Sequence, residues 1–477
     1  MGGLPMHPTR VLASMLVAVL LAVPVAAQTP TFPDADVKKL GELVGDMYAK
    51  PAKPDPKIEK KREQAKADFA KEVDRISKGL GGTHILKCDT SWAAVFAEAR
   101  ELAKAPSGLG RATEFAVKRQ LKDGVIEFKS GLLLPNGYDP KKRYPLIVSL
   151  HDEGADGREM TGLRYIEEVW MKLPKEKRDA FIILAPTHGP KAGGKEFRIE
   201  KGDQNSLLNV LLPWSDVVTK YSIDLDHMYL DGCGSGGELA ALLSAFRPYN
   251  WAAVALREAL PRNVQLCPNW SSLPVAVHHR EGGPVERRKD NVDAMKIHKD
   301  AGVPIEFVPY PALDAARAKQ ARGSQENDPI AESTTAIADW FTSKTRAAAP
   351  DSVTYFTNRR GQRRAYWVEL IDYEIEPTMS SVKAKVDRAN NAVDITCENV
   401  NEMKITLSDR MLDLDKPVKV TVNGKPIVDK TVERSLEYFL KYYEGNSFDP
   451  GVVPSAEIMI KVPAAEEPKS GSTLDKG

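Results

Sequence analysis

Cysteine is scarce in this chain of 477 residues. There are four, none in a C-x-x-C pair, which excludes a disulfide scaffold and a cysteine-rich structural zinc site. Net charge is also close to nil: 67 Lys and Arg face 66 Asp and Glu, leaving +1. That balance gives no electrostatic case for a nucleic-acid binder. Glycine and proline stand at 33 each, far from a collagen-like or wholly disordered composition. Long apolar runs are missing except for Val11–Val23, and about 13 residues fall short of the roughly 20 that span a bilayer.

What is present begins with that same run. Arg10 before it and Val25-Ala26-Ala27 after it make residues 1–27 read as a secretory signal peptide, with Gln28 as the mature N-terminus. The expected location is therefore secreted or periplasmic, where disulfides are permitted. Cys233 with Cys267, or Cys88 with another partner, are open possibilities.

Residues 28–114 carry helical patterning. Val37, Leu40, Leu43, Val44 and Met47 share one stripe, and Ala65, Phe69, Val73 and Ile76 share another. The charge run Lys57–Lys66 reads as a solvated helix face. From about residue 115 to 345, strands alternate with helices. Tyr144–Leu150, Ala180–Ala185, His227–Asp231 and Leu273–Val277 are apolar runs of buried-strand length, which predicts a parallel sheet covered on both faces. Residues 350–463 switch to short strands with turn chemistry at Asn390-Asn391 and Asn423-Gly424. A small all-β, sandwich-like domain is expected there, with a short helix near Glu433–Tyr443. Residues 464–477 are polar and read as a disordered tail.

Segments of the middle region, 136–154, 217–237, and 273–285 followed by 301–313, resemble the secreted esterase and peptidase branch of the α/β-hydrolase superfamily, with polyhydroxybutyrate-depolymerase and feruloyl-esterase relatives. The resemblance implies an α/β class, α/β-hydrolase fold, flanked by the N-terminal helical region and the C-terminal β domain. It also implies a serine on a sharp strand-to-helix turn, an acid and a histidine. Laid on Tyr229–Gly237, the family pattern puts Gly234 at the nucleophile. The acid position falls on Gly283 and the histidine position on Ala315. His151, Asp152 and Glu153 stand where the family has a glycine-rich oxyanion loop, and two carboxylates there oppose a developing negative charge.

These replacements predict a catalytically degenerate hydrolase fold that binds or scaffolds a surface polymer, a peptide or an envelope protein. His151, Asp152, Glu153, Cys233 and Ser235 would form a vestigial anion pocket, with backbone amides at the helix start and Arg280 and Glu281 along its edge. The alternative is a serine esterase or peptidase with a displaced triad. It reads the turn one residue later, with Ser235 as nucleophile, His279 as base and Asp314 as orienting acid. No metal is expected, because His151, His188, His278 and His279 lack compact ligand spacing. No cofactor is expected either, since the glycine cluster at 232–237 lacks the acidic partner of a dinucleotide site. A third class, carbohydrate binding by the β domain, rests on Tyr366, Trp367, Tyr442 and Tyr443, which would have to form an exposed platform.

Overall fold

The computed structural model describes residues 30–48, 55–99, 108–121, 124–152, 160–188, 204–259, 264–281, 303, 305–312, 330–359, 361–374, 378–445 and 453–463, with 296 and 300. The signal-peptide reading of 1–27 and the reading of the tail lie outside these residues, as does most of the helix expected at Val292–Asp300.

The first stretch is helical: α1 (Asp34–Tyr48), α2 (Pro56–Gly79) and α3 (Asp89–Ala99). Asp55 caps α2 by accepting from the Lys57 amide, and Pro56 fits the first turn, where its missing N–H costs nothing. Their apolar stripes meet around Leu40, Val44, Phe69, Trp92 and Phe96.

Next comes a sheet of eight strands: β1 (Ala112–Leu121), β2 (Gly124–Leu133), β3 (Tyr144–Leu150), β4 (Ile182–Pro186), β5 (Ile223–Cys233), β6 (Ala253–Arg257), β7 (Val275–Arg280) and β8 (Ile305–Tyr310). Their order is β1-β2-β4-β3-β5-β6-β7-β8. β2 pairs antiparallel with β1 and β4, and the strands from β4 to β8 are parallel. Parallel neighbours need crossovers, and helices lie in several of them: α4 (Gly162–Glu168) and α5 (Lys175–Arg178) between β3 and β4, α6 (Gln204–Lys220) between β4 and β5, and α7 (Ser235–Phe246) between β5 and β6, while α8 (Ile330–Thr342) follows β8. The central strands are apolar on both sides because both sides are covered. Leu146, Val148 and Leu150 of β3 face a core shared with α6 and α7, while Ile147 faces Trp170 and the α4 and α8 side.

The third unit is a sandwich of two sheets. Its strands are β9 (Ser352–Thr357), β10 (Arg364–Ala365), β11 (Val368–Asp372), β12 (Ser380–Asp387), β13 (Ala392–Glu398), β14 (Glu402–Leu407), β15 (Val418–Val422), β16 (Lys425–Lys430) and β17 (Ala456–Lys461). One sheet runs β16-β15-β13-β12-β9 and the other β10-β11-β14-β17. The strand anticipated over Tyr366–Ile371 is split into β10 and β11, with Tyr366 in a left-handed turn at φ 53°.

Helix α9 (Leu436–Gly445) joins the ends of the chain. Its Phe439 and Tyr443 insert among Trp92 and Phe96 of α3, and Arg410 pairs with Asp89 and Lys87 with Asp415. The β domain also docks on the eight-stranded unit through Asn269, which is fully buried. Its amide donates to the carbonyls of Ala245 (2.8 Å) and Phe356 (2.9 Å) and accepts from the Phe356 amide (2.7 Å). That satisfies both ends of one buried amide across the junction.

The disulfide possibilities do not materialise. All four cysteines are free and buried: Cys88 among the N-terminal helices, Cys267 and Cys233 on opposite faces of the large sheet, and Cys397 inside the sandwich. Burial pushes the Cys88 and Cys397 thiols up to about 11.

Candidate functional site

The strand order and the sharp turn from β5 into α7 are those of the α/β-hydrolase fold, so any chemistry of this domain belongs at the carboxyl ends of the parallel strands. The turn is Gly234, at φ 52° and ψ −119°. An L side chain rarely adopts that conformation, and glycine takes it freely. Ser235 has no positive φ and opens α7, so the left-handed residue of the turn is Gly234. Cys233, one residue earlier, points into the core under α4 and α8.

A nucleophile at 234 would project towards the cleft from its Cβ. That space is filled: a Cβ built on Gly234 overlaps the carboxylate of Asp152. Asp152 Oδ1 accepts two hydrogen bonds from the next residue, from the Ser235 amide (2.9 Å) and from the Ser235 hydroxyl (2.9 Å). In this fold the amide after the nucleophile is an oxyanion-hole donor. Here one carboxylate of the chain takes both the nucleophile's place and that donor. The vestigial anion pocket expected from the sequence is thus filled from within, and a second anion would meet like charge.

Asp152 is held by its neighbour. His151 Nδ1–H donates to the Asp152 carbonyl (2.9 Å), its Nε2 accepts from the His188 amide (3.2 Å), and the two imidazoles stack at 4.2 Å. One neutral tautomer serves both bonds; a proton on Nε2 would face the His188 N–H instead. Burial pulls His151 down to about 4, and His188 is also pushed well below the ordinary histidine range, first by burial and then by His151. On the far side, the strand expected to end at Val277 continues as β7 to Arg280, so His278 and His279 are strand residues with alternating directions. His278 Nδ1 bonds the Tyr310 hydroxyl (3.1 Å). Burial, then the charge of Arg257 and the neighbouring His279, bring His278 down to about 3.

Both imidazoles are neutral in the fold and take up a proton when unfolded below about pH 6.5. Unfolding then binds protons, so stability falls as pH drops from about 6.5 towards 4 and is restored above it. Urea midpoints measured at about pH 7.5 and 4.5 should show the loss, and His151→Gln should shrink the difference; an unchanged difference would contradict it.

Three further ionisable groups lie beside this edge. Asp231 and Arg257 are fully buried and form a bidentate pair, Nε to Oδ1 at 2.7 Å and Nη2 to Oδ2 at 3.1 Å. Ser149 donates to the same carboxylate (2.6 Å), Trp170 donates to Ser149 (2.9 Å), and Arg257 Nη1 donates to Thr334 (2.8 Å). The third is Glu258, at φ 50° at the end of β6, whose carboxylate accepts from the Arg280 amide (2.6 Å). A charged residue inside an apolar strand, as in HMYLD or VALR, was the available signal for the pair.

Of the triad proposed for the alternative, the structure brings Ser235 to Asp152 and to no histidine among the described residues. His279 is buried on β7, its ring 6.4 Å from that of Phe307. Glu153, Gly283, Asp314 and Ala315 lie outside the described residues. Arg280 donates from its guanidinium to the Pro311 carbonyl (2.8 Å). No group of three or more metal-ligating side chains occurs among the described residues, and none of their helices is long and apolar enough to cross a membrane. In the β domain, Tyr366, Trp367 and Tyr443 are buried in the cores, so the exposed aromatic platform does not form.

No protein-family model matches the chain, and no curated protein matches it. Solved structures do. A thermostable esterase aligns at 22% identity over 49% of this chain and 63% of its own, with a TM-score of 0.38. A ferulic acid esterase aligns at 14% identity over 49% and 98%, TM-score 0.37. An S-formylglutathione hydrolase from Staphylococcus aureus aligns at 12% identity over 49% and 100%, TM-score 0.33. The alignments take in about half of this chain and 63% of the thermostable esterase.

Proposed function

We propose that the hydrolase-fold domain does not hydrolyse, and that the protein is exported and serves as a binding or scaffold protein for a surface polymer, a peptide or an envelope protein. The observation that supports this reading most is the Asp152 carboxylate seated over Gly234 with the Ser235 amide in its grip. Acyl transfer needs a nucleophile, a base within hydrogen-bond reach, and donors free for the oxyanion. Glycine supplies no nucleophile at the turn. The donor after it is committed, and the serine beside it shares its hydroxyl with a carboxylate instead of a histidine.

The test is labelling of the purified chain with a fluorophosphonate serine probe, read by intact-mass and peptide mass spectrometry, with Ser235→Ala alongside. The expected result is no adduct on folded protein. Stoichiometric labelling at Ser235 that vanishes in the variant would establish an activated serine and replace this reading with the displaced-triad esterase or peptidase.

A further inference from the structure

We propose that the cavity between α9 and the outer face of the four-stranded sheet binds a neutral oligosaccharide. This site stands apart from the β5–α7 turn and does not depend on whether that turn is active.

The cavity measures about 660 Å³, within the range of small-molecule sites and with room for about two or three sugar rings. Its charges cancel. Arg364, Lys404 and Lys441 are matched by Glu369, Glu437 and Glu457, so neither an anion nor a cation is drawn to it. The match is built into the sheet: Lys404 of β14 lies between Glu369 of β11 and Glu457 of β17, its ammonium 2.9 Å from the first carboxylate and 3.7 Å from the second. An ammonium has three donors and each carboxylate about four acceptor positions. One such cluster therefore keeps donors and acceptors for hydroxyl groups, which both donate and accept.

Apart from Thr406 and Ser435, the remaining walls are apolar or aromatic. Tyr438 fixes its hydroxyl on Thr406 (2.7 Å) and presents its ring to the cavity. Arg364 is stacked between Tyr249 (4.9 Å) and Tyr442 (4.7 Å), a rigid wall in which the guanidinium is already engaged. Met459 lies on the floor at 49% exposure. Among the described residues only Val125 and Ile126, at a hairpin end, share that combination of size, apolarity and exposure. An apolar patch beside a charge-neutral cluster of hydrogen-bonding groups fits the two faces of a pyranose, C–H on one side and hydroxyls at the edge.

Calorimetric titration of the whole chain with neutral trisaccharides of glucose, N-acetylglucosamine, mannose, galactose and xylose tests the proposal. Trigalacturonate, trilysine and triglycine serve as charged and peptide probes. At least one neutral sugar should bind with a Kd below about 1 mM. Glu369→Gln and Met459→Lys should each weaken it about tenfold or more, while Gly137→Ala, with nothing within 4 Å of the added carbon, leaves it unchanged. Met459 is exposed, so its variant folds and keeps the test open. The proposal is overturned if no neutral sugar binds in that range, if both cavity variants bind as before, or if a charged or peptide probe is preferred.

Discussion

Arg257→Leu should destabilise the hydrolase-fold domain by about 3–5 kcal/mol, the cost of leaving a buried charge without its partner. Asp231 would remain at the centre of the sheet with only Ser149 to donate to it. Against a typical stability of about 5–15 kcal/mol, that loss brings the domain near the point of unfolding at ambient temperature. Asp231→Leu should cost a similar amount, because it removes the carboxylate that balances the buried guanidinium. The double variant should recover part of the loss, since two apolar residues leave no unpaired charge. Urea unfolding of the four proteins yields the coupling; simple additivity would show that the two side chains act separately.

Gly162→Ala is expected to be as damaging, by more than about 4 kcal/mol, the exceptional end of single substitutions. A Cβ at 162 overlaps the Ala185 carbonyl oxygen and lies 2.6 Å from its carbon and 2.9 Å from the Gly131 nitrogen. These are backbone atoms of β4 and β2, so nothing short of lifting α4 off the sheet makes room. The first turn of α4 is anchored where it lies: Thr161 caps the Arg164 amide, and the Gly162 amide donates to Thr187 (2.9 Å). Gly137→Ala, with nothing within 4 Å of the added carbon, is the control. Thermal unfolding should leave the control near wild type and the Gly162 variant largely unfolded or insoluble. Near-equal melting temperatures would mean that helix and sheet can part at little cost.

The architecture was legible because each unit writes a different period. Apolar runs such as YPLIVSL belong to strands covered on both faces, and strict alternation, as in SVKAKVD of β12, belongs to a sandwich. Chain breaks were less readable. β7 runs on through His278, His279 and Arg280 because β8 pairs with each of them, and that pairing is a long-range fact invisible in LPVAV. At the site, the glycine at the turn could be read directly from Gly232-Cys233-Gly234-Ser235-Gly236-Gly237. What fills the space above it could not. In the sequence Asp152 reads as a charge opposing an oxyanion, and only the approach of β3 to α7 shows its carboxylate bonded to Ser235. The reach of α9 to the N-terminal helices was equally hidden, since it joins residues hundreds of positions apart.

One thiol in each of the cores gives the chain a chronicle of its own denaturation. Cys88, Cys233, Cys267 and Cys397 are all shielded in the native fold. A brief alkylation pulse at increasing urea, followed by peptide mapping, would therefore date the opening of each core without any engineered label. Cys233 and Cys267 flank the same sheet and should lose protection together if that unit melts cooperatively. Cys88 and Cys397 report on the units that α9 ties together, and the lag between them measures how firmly that tie holds.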